Sequence, residues 1–164
     1  MMRTIKLDSV DWRILREMQA DGRITNVALA SRVGISAPPC LRRVRALEKA
    51  GAIRGYRAVL DEKLLGFDVT VFAMVGLHSQ AEADLVAFEK LVAGWPIVRE
   101  CHMLSGEIDY ILKCIAPDLS SFQEFVIHEL TAAPNVDNVK TSLTIRQAKY
   151  EPGVPFEARA GEEE

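Results

Sequence analysis

Apolar residues recur at helical spacing through the first fifty positions, then crowd into shorter, denser runs. Val10, Ile14, Leu15 and Met18 fall on one stripe, which predicts a helix over residues 9–20. Asp8 or Ser9 can cap it, and Asp21-Gly22 ends it. Thr25 suits the cap of a second helix whose inner face is read as Val27, Leu29, Ala30 and Val33. Gly34 can turn left-handed to close that helix, and Ser36 can cap a third. Pro38 and Pro39 sit in the third helix's first turn, where an absent N–H costs no intrahelical bond. Leu41, Val44 and Leu47 mark its inner face, while Arg42, Arg43, Arg45 and Lys49 leave it. Gly51 stops the helix. Ile53, Tyr56, Val59 and Leu60 suit short strands around a turn at Gly55, the wing of a winged helix-turn-helix.

Beyond this the pattern changes. Residues 61–66 read as a linker with a short helical turn. A strand is predicted over 67–77, and a helix over 83–92 with Leu85, Phe88 and Val92 in register. Gly94-Trp95-Pro96 breaks the chain, and strands over 97–104 and 108–115 flank a tight turn at Ser105-Gly106-Glu107. A helix follows Pro117-Asp118 with Phe122, Val126 and Leu130 aligned, and a last strand spans 136–148. The order β-α-β-β-α-β is the ferredoxin-like pattern, so the fold class is α+β: an antiparallel sheet with two helices on one face. The other face is open unless covered, and a second copy of the chain is the expected cover. The expected division is a winged helix-turn-helix over 1–60, a linker over 61–66, the ferredoxin-like module over 67–151 and a loose tail over 152–164.

Charge separates the halves further. Residues 1–60 hold 12 Lys/Arg against 5 Asp/Glu, and the rest hold 8 against 18. Only the front half should be attracted to phosphate. The basic third helix therefore points to double-stranded DNA, with contacts expected from Ser36, Pro39, Cys40, Arg42, Arg43, Arg45 and, on the wing, Arg54. Taken alone, the arginines would equally fit a solvated helix face, and Cys40 could touch DNA or pack.

No apolar run is long enough to cross a bilayer, and Asp8 and Asp11 stand where a signal peptide needs apolar residues, so a cytoplasmic location is expected. Three widely spaced cysteines make neither a disulfide framework nor a zinc ribbon. His78, His102 and His128 fall on different elements, and no nucleophile-base pairing or phosphate loop appears. No catalysis, metal or cofactor is expected. The most suggestive chemistry is the 101–110 hairpin. Backbone N–H groups near Gly106 could hold a carboxylate, and Asp109 could accept from an ammonium, which together suit an α-amino acid. A plain turn with Asp109 capping its own backbone is the simpler reading of the same residues.

The chain resembles the Lrp/AsnC (feast/famine) regulators. The resemblance rests on Leu7-Asp8, Asp11, Ile14-Leu15, Asp21-Gly22-Arg23, Leu29-Ala30, Gly34-Ile35-Ser36, Arg43-Val44, Leu47-Glu48 and Gly51-Ala52-Ile53 in the front half. In the back half it rests on Ser105-Gly106-Glu107-Ile108-Asp109-Tyr110 and Lys113. The resemblance implies an amino-acid-responsive transcription regulator assembling as dimers and then octamers or similar rings. It places an effector cleft on Met103, Leu104, Gly106 and Asp109, completed by Leu119 and by Ser142, Leu143 and Thr144. A ligand-independent architectural DNA-binding protein is the alternative.

Overall fold

The computed structural model describes residues 6–156. They form two compact units. One holds the residues up to Val59 together with those from Glu151 onward; the other runs from Leu60 to Tyr150.

The first unit is a three-helix cluster of α1 (Ser9–Ala20), α2 (Asn26–Val33) and α3 (Ala37–Lys49). Asp8 starts α1 with a reciprocal capping box: its carboxylate accepts from Asp11 N–H at 2.9 Å, while its own N–H reaches the Asp11 carboxylate. Thr25 caps α2, and Gly34, at φ 75°, closes it. Asn26 then donates across the turn to the Ala37 carbonyl at 2.8 Å, tying the start of α2 to the start of α3. The core is Ile14, Leu29, Ala30, Val33, Cys40, Val44 and Leu47.

Two residues read as inner are not. Val27 is 71% exposed, because it stands two positions before Leu29, about 200° around the helix from the buried stripe. Leu41 is exposed and Cys40 takes its place, since Cys40, Val44 and Leu47 form the tighter i, i+4, i+7 line. The wing strands are also absent: residues 52–60 contain no strand. Their β-propensity finds no neighbouring strand to pair with, and a lone two-stranded ribbon is marginal in water.

The tail departs most from expectation. Residues 152–156 return to α1 rather than hanging loose. Phe156 stacks edge-on against Trp12 with centroids 6.2 Å apart. They help line a cleft with Leu15, Met18 and the 52–57 segment. Residues 157–164 lie outside the described residues.

The second unit has β1 (Val69–Leu77), α4 (Glu82–Ala93), β2 (Val98–Met103), β3 (Tyr110–Ala116), α5 (Leu119–Phe125) and β4 (Val136–Leu143). The sheet is antiparallel in the order β2-β3-β1-β4. Asp118 caps α5, which continues as a π-helical turn over Val126–Leu130. Helices and sheet meet through Leu85, Phe88, Phe122, Phe125 and Leu130 on Val71, Ala73, Val75 and Leu112. The opposite sheet face carries Phe72, Met74, Ile111 and Ile115, none fully buried. β4 ends at Leu143, five residues short of the expected strand, because β1 runs out of partners: Val71 pairs with Leu143, and Thr144 makes one last N–H bond to Thr70 O at 2.9 Å.

Candidate nucleic-acid interface and effector site

The turn between α2 and α3 presents the first turn of α3 to solvent. Ser36 is exposed and makes no capping bond with its hydroxyl, so that oxygen is free for a phosphate or base. Pro39 is half-buried. Arg42 and Arg45, one turn apart, are exposed, as is Arg54. Among the described residues no ion pair holds any of the three. Two expected contacts are corrected. Cys40 is wholly buried in the helical core and cannot reach a groove. Arg43 is a strut: its Nη1 donates to Asp8 at 2.7 Å and Asp11 at 2.8 Å, binding α3 to the first turn of α1.

The 103–109 hairpin is built around Asp109. Its N–H donates to Val75 O at 3.0 Å and its carbonyl accepts from Leu104 N–H at 2.8 Å. Its carboxylate points inward, 8% of the residue being exposed. Oδ2 accepts from Leu77 N–H and Oδ1 from Gln80 Nε2, each at 2.7 Å. Asp109 therefore fastens the hairpin to the end of β1. Gly106 stands at the tip with φ 152° and open space where a side chain would begin. Met103 and Leu104 flank it, exposed.

The other expected effector residues lie elsewhere. Leu119 opens α5, three residues past the end of β3, while Ser142 and Leu143 end β4 and Thr144 follows it. The register places them beside Phe72, Val71 and Thr70, whereas the hairpin sits beside Val75. Five residues of strand, roughly 17 Å, separate Thr70 from Val75. The expected effector residues thus fall into two groups at opposite ends of one sheet, each with exposed apolar side chains. Met103 and Leu143 are both 55% exposed. The Oγ1 of Thr144 is buried without a partner.

A family profile for winged helix-turn-helix DNA-binding domains matches residues 7–54, and one for the Lrp/AsnC ligand binding domain matches residues 70–154. The chain belongs to the Lrp/AsnC family of transcriptional regulators. It is similar to the leucine-responsive regulatory protein of Rhizobium meliloti, 63% identical over 145 residues, which is 88% of this chain and 93% of that one. The leucine-responsive regulatory protein of Escherichia coli K12 is 39% identical over 143 residues, 87% of each chain. Among solved structures, a Neisseria meningitidis transcriptional regulator in complex with L-Met superposes with a TM-score of 0.88 at 34% identity, covering 93% of this chain and 99% of that one. An AsnC family regulator from Agrobacterium tumefaciens gives 0.86 at 32% identity with the same coverage.

For an Lrp/AsnC chain the cysteines here are quiet. Burial pushes the Cys40 thiol up, raises Cys114 to about 12 and, with help from Glu89, raises Cys101 to about 11. Thiolate chemistry near neutral pH is thereby suppressed. Among the described residues no cluster of three His, Cys, Asp or Glu side chains could hold a metal, and no helix is long and apolar enough to cross a membrane. Sequence reasoning missed Gln80. It lies in a polar connection with no periodicity, and only the fold brings it to Asp109.

Proposed function

We propose that this regulator binds double-stranded DNA through the first turns of α3 and senses an amino acid at a cleft assembled from two protomers. The observation that carries the reading is the split of the effector residues between two ends of one sheet. A ligand held by Met103, Leu104, Gly106 and Asp109 of one copy can also meet Leu119 and Ser142, Leu143 and Thr144 only if a second copy supplies them. Backbone N–H groups near Gly106 take the carboxylate, and Asp109 faces the ammonium. The apolar residues around both groups favour an apolar side chain, in keeping with the L-Met bound by the Neisseria meningitidis regulator.

Assembly follows from the same surfaces. The uncovered sheet face, with Phe72, Met74, Ile111 and Ile115, is the natural seat of a second copy, and dimers then associate further, to octamers or similar rings. Because the cleft exists only in the assembly, effector binding and oligomerisation are linked reciprocally. The protein works in the cytoplasm, on DNA, without catalysis.

Titration calorimetry of the full chain with L-leucine and L-methionine, alongside light scattering, tests this. Saturable heat and a ligand-dependent mass are expected. A monodisperse monomer at micromolar concentration would exclude the shared cleft. DNA binding with no heat from any common amino acid would leave the architectural reading.

A further inference from the structure

We propose that Gln80 is a stand-in for the effector's ammonium group, a neutral donor that occupies Asp109 until a cationic one displaces it. The inference rests on the effector reading above and assigns the group within that site that sets its affinity.

Asp109 is the one charged residue buried among those described. Buried carboxylates are ordinarily paired with a cation, because a neutral donor compensates desolvation only in part. No ion pair within the described chain supplies one here. Both oxygens are instead satisfied by amides, Leu77 N–H and Gln80 Nε2.

These two donors differ in kind. Leu77 N–H is backbone at the end of β1, beside the irregularity between Gly76 and Leu77, and cannot leave without disturbing the strand. The backbone bonds of Asp109 to Val75 and Leu104 hold the carboxylate against it. Gln80 belongs to the exposed connection before α4 and reaches Oδ1 on a flexible side chain. Oδ2 is therefore a permanent anchor and Oδ1 an exchangeable position. An α-ammonium arriving at Oδ1 replaces a neutral bond by a charge-assisted one, and the released amide returns to water, where its own bonds are cheap to remake. Gln80 thus competes with the effector. It sets how much amino acid is needed, and it does so only for ligands that carry the amine.

Calorimetry on the full-length protein, with L-methionine and with its des-amino analogue, tests this directly. In Gln80→Ala, L-methionine should bind tighter, about fivefold, the worth of one neutral hydrogen bond no longer opposed, while the des-amino analogue, with no donor at that position, is unaffected. Gln80→Lys should fill Oδ1 with a tethered cation and lose L-methionine, with the circular dichroism spectrum and effector-free DNA binding retained. Weaker L-methionine binding in Gln80→Ala would mark Gln80 as a brace and overturn the proposal. So would wild-type affinity in Gln80→Lys. Absence of amino-acid binding by the wild type itself would instead bring down the effector reading beneath it.

Discussion

Gln19 and Val154, 135 positions apart, exchange two hydrogen bonds of 2.9 Å, the side-chain amide of one pairing with the backbone N–H and carbonyl of the other. The side chain thereby acts as a one-residue strand partner. Gly153 makes the approach possible. It sits at φ 113°, and a Cβ there would collide with the Gln19 amide. Gly153→Val should therefore detach residues 152–156 from α1. We expect the first unit to lose about 1–3 kcal/mol, read as a lower urea midpoint. Gln19→Ala should lose less, because Phe156 on Trp12 remains. Equal stability in both variants and the wild type would show that the segment adds nothing.

The arginines of α3 should separate into two classes. Arg42→Ala and Arg45→Ala should weaken DNA binding at constant stability, each lowering the salt slope by about one if it contacts phosphate. Arg43→Ala should instead lower thermal stability, because it leaves Asp8 and Asp11 facing one another without their shared cation. Binding assays across a salt series and melting curves on the same preparations distinguish the classes.

Cys40 offers a test of burial against contact. Cys40→Ser places a hydroxyl in an apolar core and should cost about 1–3 kcal/mol. DNA affinity of the folded protein should be unchanged. A loss of affinity at full stability would return Cys40 to the interface.

Acid should loosen both units through their helix caps. Asp11 N–H first, and Arg43 with it, hold Asp8 below the usual carboxylate range; Ser121 N–H does the same for Asp118. A carboxyl whose folded pKa is depressed contributes stability above its unfolded pKa and loses it as pH falls through the folded value. The urea midpoint should thus fall between about pH 5 and about pH 3. Asp8→Asn with Asp118→Asn keeps the caps and should flatten that decline.

Elements with local determinants were legible in the sequence. Capping residues Asp8, Thr25 and Asp118 stand where the helices begin, and the Ser105-Gly106-Glu107 turn divides two strands as read. What failed depends on partners remote in sequence. Whether Cys40 or Leu41 faces the core is decided by neighbouring helices, not by hydropathy. Ile53, Tyr56 and Val59 favour strands, yet no strand lies beside them to pair. Arg43 looks like its neighbours until Asp8 and Asp11 arrive, and Gln80 carries no pattern at all. The hairpin turn was visible; that the Asp109 carboxylate already has two donors was not.

The return of the tail to α1 also imposes an order on biosynthesis. Residues leave the ribosome at roughly 5–20 per second, so the 135 positions between Gln19 and Val154 correspond to roughly 7–27 seconds. During that interval the basic helices exist without the segment that covers α1, while the whole second unit emerges. A nascent chain therefore carries the whole second unit before the tail segment can pack on α1. Packing of the helix-turn-helix unit is thus completed only once the C-terminal segment has been made.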